Sequence, residues 1–541
     1  MTLKKGMAAV ALGLSAILAL SGCGSTDEDG TTPSGTATTA TDSIIVGTTD
    51  KAITIDPAGA YDHGSFSIEI QVYQFLYTFA PGTKAPVPDA AESCEFTAPT
   101  VFTCKIKPGL KYANGHALTA SDVKFSYDRV VAIDDPQGPA SLLTNLDSIT
   151  VVDELTVAFN LKEANDQTFV QVIATNTGPI VDEEVFSATA LTPDNDIVAA
   201  NAFSGPYTIK SYSFNELIEY LPYADYNGAH GQVANSGVTL KTFTDATNLK
   251  LSIENAEIDV AYRSLTPTDV ETLQANPKVK VWQANGGEIR YIVWNFDTQP
   301  GDTPEQKLAV RQAVASLIDR DALARDVYKG QYSPLYSFVP KDYPGGTTAV
   351  GDAYGTQPDP VKAAAFLTDA GVATPVVLNL QYNGDHYGSS SDQEYGLIKQ
   401  QLEASGLFTV NLQQTEWTTY SKERRADAYP VYQLGWFPDF PDADNYLNPF
   451  FSVGNFLGNH FNAEDGLLAE DVTALLVSEA TEVDPTKRAA TLGELQKLLA
   501  EKYLPTIPLL NGSQWAVSGT NIDGIDLGPS ENLPYAEITK K

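Results

Sequence analysis

The chain has 541 residues, more than one ordinary hydrophobic core accommodates, which predicts two or three domains. Hydrophobic residues make up 43% of it, so the composition excludes a largely disordered chain. Its 34 Lys and Arg against 68 Asp and Glu give a formal net charge of −34. This excess of negative charge argues against nucleic acid as a partner.

The N-terminal segment predicts export. Lys4 and Lys5 precede an apolar run over residues 7–20, which is followed by Ser21-Gly22-Cys23. The run is shorter than the about 20 residues that span a membrane, and its charged start is typical of a signal peptide. It resembles a bacterial lipoprotein signal, which implies a signal peptide over 1–22 and diacylglycerol on the sulfur of Cys23. An ordinary cleaved signal is the alternative.

Residues 23–42 are rich in Ser, Thr, Gly, Asp and Ala, a composition that cannot bury a core. This segment is predicted to be a flexible tether. The remainder holds no apolar run long enough to span a bilayer. We therefore expect the body on the outer face of the cytoplasmic membrane, held there by its lipid anchor.

Two further cysteines, Cys94 and Cys104, flank a turn at Ala98-Pro99-Thr100 within strand-like residues. A cysteine pair in an exported chain indicates a disulfide, here across a hairpin, whereas a metal site would need more ligands.

Strand-like and helix-like segments alternate along the chain, which predicts an α/β fold. The predicted strands include residues 44–48, 156–161, 289–296, 376–382 and 409–414. The predicted helices include residues 67–76, 247–254, 360–370, 392–404 and 485–503.

The segment 435–446, GWFPDFPDADNY, follows a predicted strand and presents three carboxylates, Asp439, Asp442 and Asp444. Its two prolines keep it out of a helix or central strand, which predicts a loop, and loops at strand ends commonly carry ligands. The alternative is that these are solvated turn residues. Calcium is a further possibility for clustered carboxylates, but the glycine and glutamate that an EF-hand loop requires are absent.

The sequence contains no motif that indicates metal binding, catalysis or nucleotide binding. The five histidines are far apart in the sequence, and Gly-x-Ser-x-Gly, Walker and Gly-x-Gly-x-x-Gly motifs are absent. We therefore predict no catalytic residue, no metal and no cofactor. A glycosidase would need a pair of catalytic carboxylates. The sequence shows neither a second candidate acid nor a sugar-binding pattern, which argues against this activity.

The motif Gly435-Trp436-x-x-Asp439, followed by Asp442-x-Asp444-Asn445, resembles the extracellular solute-binding proteins of dipeptide and oligopeptide ABC importers, family 5. The stretch 104–129 resembles the same family. The resemblance implies a two-lobed, periplasmic-binding-protein-like α/β fold with a hinge. Lobe I would comprise residues 43–78, 200–298 and 507–541, with an inserted subdomain over 79–199, and lobe II residues 299–506.

The resemblance also implies a function. The protein would capture di- to oligopeptides as a monomer and deliver them to ABC permease subunits by hinge closure. Asp439 would pair with the ligand's α-amino group. The remaining implied ligand neighbours are Gly435, Trp436, Phe437, Phe440, Ser65 and Phe66.

Each of these neighbours has an alternative. Core packing could account for the aromatic residues, and a helix cap for Ser65. Gln433 stands where some relatives carry an arginine, so the partner of the ligand carboxylate and the peptide length stay open. A non-peptide solute such as a nickel chelate or a sugar is the alternative ligand. A surface hydrolase is the alternative from another class.

Overall fold

The computed structural model describes residues 42–541, except residues 84, 264, 385, 389 and 529–531 and the side chain of Thr418. The predicted signal peptide, the lipidation at Cys23 and the tether up to residue 41 lie outside the described residues. Across the described part, no helix combines the length and the apolar character needed to cross a membrane.

A mixed sheet of eleven strands organises the molecule. From one edge to the other its order is Phe408–Gln414, Val376–Tyr382, Val431–Trp436, Val279–Trp294, Thr506–Gly519, Val260–Tyr262, Ile44–Thr48, Val238–Thr242, Leu217–Pro222 and Tyr207–Ser213. The eleventh strand, Tyr332–Pro334, pairs with Thr506–Gly519. The two longest strands, Val279–Trp294 and Thr506–Gly519, lie side by side and antiparallel at the centre.

Helices cover this sheet, which makes the fold the mixed α/β type expected from the sequence. The α-helices are His63–Val72, Ala120–Ile133, Phe169–Val172, Asp194–Ala200, Ala246–Glu254, Pro267–Gln274, Pro304–Ala315, Arg320–Ala322, Ala349–Tyr354, Pro360–Asp369, Ser391–Ala404, Trp417–Arg425, Asp444–Phe451, Glu470–Thr481 and Pro485–Leu498. Several begin with proline behind an acidic or hydroxyl cap. Asp484, for example, accepts hydrogen bonds from two backbone N–H groups of the helix that starts at Pro485.

Three large hydrophobic clusters lie along this architecture. One is built from residues between Ile289 and Leu510, and a second joins residues 44–262 to residues 516–538. The third lies under a separate four-stranded sheet. Because the two central strands contribute side chains to the first cluster at one end and to the second at the other, they connect the two cores.

The four-stranded sheet, named here the small sheet, has the order Ala91–Ala98, Val101–Ile106, Thr156–Leu161 and Leu146–Asp153. Two short strand pairs complete the described sheets, Tyr77–Thr78 with Val87–Pro88 and Ile522–Asp523 with Thr539–Lys540. Cys94 and Cys104 face each other on adjacent strands of the small sheet and form a disulfide.

Reduction of this disulfide is expected to lower the free energy of unfolding by about 2–3 kcal/mol, because the bond restricts the unfolded chain through a short ring. The two cysteines are separated by 10 positions. Urea unfolding with and without reductant measures the effect. A variant with alanine at both positions serves as the control, since reductant should leave it unchanged. Equal unfolding free energies of the wild type in both conditions would contradict the expectation.

A buried ion pair fixes the first turn after the opening strand to the helix Ala120–Ile133. The guanidinium of Arg129 donates to both carboxylate oxygens of Asp56, at 2.6 and 2.8 Å, and the two side chains are at most 1% exposed. Asp56 also accepts from the backbone N–H groups of Ala58 and Thr192. The carboxylate therefore holds three chain segments together.

Candidate functional site

The Asp439 loop, residues 437–443, joins the strand Val431–Trp436 to the helix Asp444–Phe451. The strand is almost wholly buried and pairs with the central strand Val279–Trp294. At its end, a Cβ on Gly435 would lie 3.0 Å from the ring of Tyr387 and 3.2 Å from the carbonyl oxygen of Ile289. Glycine thus allows a close approach of the strand to its neighbours.

Asn445 orients Asp439. Its amide nitrogen donates to Oδ2 of Asp439 at 2.9 Å, and its Oδ1 accepts from the Asp439 backbone N–H at 2.9 Å. The same oxygen accepts from the indole N–H of Trp436 at 3.0 Å. Trp436 itself is half-buried and packs against the rings of Phe450 and Phe456. The motif residues therefore form one connected unit that fixes the carboxylate.

The second oxygen of Asp439 is contacted from a distant part of the chain. The hydroxyl of Tyr61, which precedes the helix His63–Val72, donates to Oδ1. Asp439 is half-buried, and burial raises the pKa of its carboxyl, while the hydrogen bonds from Tyr61 and Asn445 act in the opposite direction. The site thus holds a partly desolvated carboxylate between two donors.

The two phenylalanines of the loop have different surroundings. Phe437 is 39% exposed, and the guanidinium of Arg263 lies 5.6 Å from its ring centre. Phe440 is 4% exposed and packs into the cluster beneath the small sheet. Phe440 thus packs in the core, which is the alternative to a ligand contact. Phe437, in contrast, remains exposed to solvent.

Ser65 and Phe66 lie in the helix His63–Val72. The hydroxyl of Ser65 accepts from the Ile53 backbone N–H at 2.9 Å, and the helix cap is Asp62 rather than Ser65. Phe66 packs edge-on against Phe75. These partners belong to the same N-terminal region and not to the Asp439 loop, so a ligand contact of either residue stays a prediction.

Three cavities adjoin the loop, one of which, of about 310 Å³, is lined by Pro441. Asp439 and Phe440 line one of about 330 Å³, whose opposite wall comes from residues 141–172, around the small sheet. Phe437 lines a smaller one of about 140 Å³ together with Arg263, Glu288 and Trp515. Across the described ranges, no group of three or more His, Cys, Asp and Glu could hold a metal ion.

Sequence reasoning missed three contacts of the loop. Besides Tyr61, the amide nitrogen of Gln171 donates to Oδ2 of Asp442 at 3.0 Å, and Arg488 contacts both oxygens of Asp442 at 2.7 and 2.8 Å. Gln171 and Arg488 are 271 and 46 positions away from Asp442, and nothing in their local sequence marks them. The carboxylates of the loop are thus ordered by partners from three regions of the chain.

Comparison with known proteins identifies the family. Residues 85–458 match the model described as bacterial extracellular solute-binding proteins, family 5 middle. The chain therefore belongs to the family of bacterial extracellular solute-binding proteins, family 5, which confirms the resemblance drawn from the sequence.

Relatives of low sequence identity support this family assignment. The chain is 24% identical over 493 residues to di/tripeptide-binding protein 2 of Pseudomonas aeruginosa (strain UCBPP-PA14), covering 86% of this chain and 89% of that protein. It is 22% identical to the glutathione-binding protein GsiB of Salmonella typhi, covering 92% and 94%.

A solved structure, the dipeptide binding protein from Pseudoalteromonas sp. SM9913 in complex with Met-Leu, matches with a TM-score of 0.73 at 21% identity, covering 92% of this chain and 100% of that one. The fold is thus of the periplasmic-binding-protein type.

Proposed function

We propose that this protein is the substrate-binding receptor of an ABC importer, that it captures peptides outside the membrane, and that it carries out no reaction itself. Membership of the solute-binding family and the peptide-binding names of its relatives support this proposal. The observation that carries it is the carboxylate of Asp439, which is oriented by Asn445 and Tyr61 at the wall of a cavity.

Asp439 would bind the α-amino group of the peptide. An ionised carboxylate offers about four acceptor positions, and Tyr61 and Asn445 each use one. An ammonium group can therefore add charge-assisted hydrogen bonds to the carboxylate, which are stronger than bonds between neutral groups. Contacts to the peptide backbone would let the receptor accept many sequences.

Capture would proceed by closure of two lobes with the boundaries given above. With these boundaries the chain would cross between the lobes just after the strand Val279–Trp294 and at the start of the strand Thr506–Gly519, the ends at which both strands contribute to the first core. The Tyr61 contact to Asp439 and the Gln171 contact to Asp442 would then join the lobes in the closed state. Closure would exclude water from Asp439 and strengthen its interaction with the ligand charge.

We further propose that a lipid on Cys23 anchors the receptor, as a monomer, beside the permease subunits that accept its ligand. The lipoprotein-like segment over residues 1–23 supports this part of the proposal. Metabolic labelling with a fatty acid tests it. We expect label on the full-length protein and none after Cys23→Ser.

Calorimetric titration tests the peptide assignment. The protein without its first 42 residues would be titrated with peptides of two to six residues and with their N-acetylated forms, which differ in the ammonium group. We expect free peptides to bind and acetylated ones to bind far more weakly. If neither set binds, peptide capture is wrong and a non-peptide solute becomes the candidate.

The variant Tyr61→Phe should show a shifted pH dependence of peptide affinity. The tyrosine hydroxyl lowers the pKa of Asp439, so its removal raises that pKa further above the ordinary value. Binding of an ammonium needs the ionised carboxylate, and affinity is therefore lost as the pH falls through this pKa. We expect the loss to occur at higher pH in the variant than in the wild type. Dissociation constants between about pH 4 and 7 measure it, and coincident profiles would contradict it.

A further inference from the structure

Phe440 packs in a different core from its neighbours in the chain. Its side chain is 4% exposed and belongs to the hydrophobic cluster beneath the small sheet. Within the described part of the chain, every other buried member of that cluster comes from residues 58–180. Ala443 and Tyr446, which follow in the sequence, belong instead to the cluster built from residues between Ile289 and Leu510. The Asp439 loop therefore places one aromatic ring in the core of another part of the molecule.

The backbone of the loop fixes the direction of this ring. Phe440 stands directly before Pro441, and the residue before a proline is confined to extended geometry. The backbone N–H of Asp442 donates to the carbonyl oxygen of Phe440 at 2.9 Å, so the chain turns directly after the ring. Because Pro438 and Pro441 also restrict the loop before the ring is buried, less conformational entropy is lost on its insertion.

Polar contacts accompany the inserted ring and join the same two parts of the chain. The amide nitrogen of Gln171 donates to Asp442 at 3.0 Å, and the backbone N–H of Gln167 donates to the carbonyl oxygen of Ala480 at 3.2 Å. The tyrosine bond to Asp439 described above is a third such contact. An apolar centre with polar contacts around it is the general anatomy of a protein interface. Because these contacts form between protein groups alone, they favour association of the two parts with or without a bound ligand.

We propose that burial of Phe440 in the small-sheet cluster stabilises the closed state of the receptor and thereby holds Asp439 beside Tyr61. The inference rests on the proposed function, because it takes the two lobes as the moving bodies. Phe440 would be a positioning residue, which acts on the peptide through Asp439 and lobe closure and not by direct contact. A closed state would then be populated before a peptide binds, and the peptide would shift this existing equilibrium.

The apolar surface of the ring sets the size of the effect. Complete burial of a phenylalanine side chain favours the closed state by a factor of about ten or more. The apparent dissociation constant equals the intrinsic one divided by the fraction of molecules in the binding-competent state. Loss of the ring should therefore weaken all peptides by one common factor, which is at most the change in the closed-to-open ratio. A residue that contacts the ligand would instead change the affinity by different factors for peptides with different side chains.

A distance measurement between two spin labels tests the inference. In the full-length chain with Cys23→Ser, the two remaining native cysteines form the disulfide, so labels can be attached at Thr144→Cys and Ser478→Cys. Both positions are exposed, the first among the residues around the small sheet and the second on the helix Glu470–Thr481. We expect a short-distance population in this labelled chain without peptide. Adding Phe440→Ala should lower the ratio of short to long distances by a factor of about ten or more.

Two further variants and a set of peptides complete the test. Phe440→Leu keeps an apolar side chain and should lie between the labelled chain and Phe440→Ala. The control Phe214→Ala removes a phenylalanine that is 51% exposed, and it should leave the distances and the affinity unchanged. Calorimetry with Ala-Ala-Ala, Leu-Ala-Ala and Lys-Ala-Ala then compares the affinities. Weakening of all three by the same factor in Phe440→Ala supports the positioning role, and factors that differ between the peptides would overturn it.

The inference and the proposed function fail in different ways. Unchanged distances in Phe440→Ala would overturn the inference, while binding of the three peptides by the wild type would leave the proposed function standing. A labelled chain that shows only the long distance without peptide would also overturn the inference, even if Phe440→Ala fails to fold. A loss of the short distance in Phe440→Ala, without binding of any of the peptides by the wild type, would support the role in closure and overturn peptide capture.

Discussion

Replacement of Asp439 with alanine is expected to weaken peptide binding by about 3–5 kcal/mol, which is roughly 150- to 5,000-fold in the dissociation constant. The carboxylate is half-buried and held by Asn445 and Tyr61, so the ammonium of a bound peptide would lose its counter-charge in a water-poor site. Calorimetric titration of the wild type and the variant with the same peptide measures the difference.

Two controls separate this effect from a general loss of structure. The exposed Asp196, in the helix Asp194–Ala200, is replaced with alanine in the same way and should leave affinity unchanged. An N-acetylated peptide should bind the wild type and the Asp439→Ala variant about equally, because it carries no ammonium. If the variant binds a free peptide as tightly as the wild type does, Asp439 is not the amine partner.

The variant Asp56→Ala is expected to lose about 3–5 kcal/mol of unfolding free energy. It would leave the guanidinium of Arg129 buried without its counter-charge, and the backbone N–H groups of Ala58 and Thr192 would lose their acceptor. Within the described part of the chain, the carbonyl oxygens of Ser187 and Ala190 would be the remaining acceptors for Arg129.

Urea unfolding measures this loss, with Asp128→Ala as the matched control. Asp128 neighbours Arg129 on the same helix, but it pairs with Lys124 at the surface, where both side chains are at least 40% exposed. Exposed pairs of this kind contribute at most about 1 kcal/mol. Equal losses in the two variants would show that burial of the Asp56 pair has no special effect on stability.

Much of the fold could be predicted because local patterns mark its elements. Asp484 followed by Pro485 marks a helix start, and the predicted strands over 376–382 and 409–414 lie within one or two residues of the observed ones. The first helix was predicted to begin at Ser67, but it begins at His63. Its cap, Asp62, precedes a His-Gly pair that does not favour a helix, and the cap bond to Ser65 compensates for it.

Of the candidate site, only the residues that lie close together in the sequence could be predicted. The segment from Trp436 to Asn445 carries the carboxylate and the amide that orients it, and all of these residues are close together in the sequence. Tyr61 is 378 positions away from Asp439, and a tyrosine in a loop has no pattern that distinguishes it. Arg488, which contacts both oxygens of Asp442, is equally hidden, because its helix, Pro485–Leu498, has the sequence of an ordinary surface helix.

The hydrogen bond from the Trp436 indole to Asn445 provides an optical readout of the site. Asn445 connects that indole directly to the carboxylate of Asp439, and the chain has only 5 tryptophans in total. A ligand that rearranges the bonds of Asp439 will therefore change the polarity around one of a few fluorophores. Tryptophan emission can follow occupancy without a dye, in small volumes and on the millisecond scale of a stopped-flow instrument.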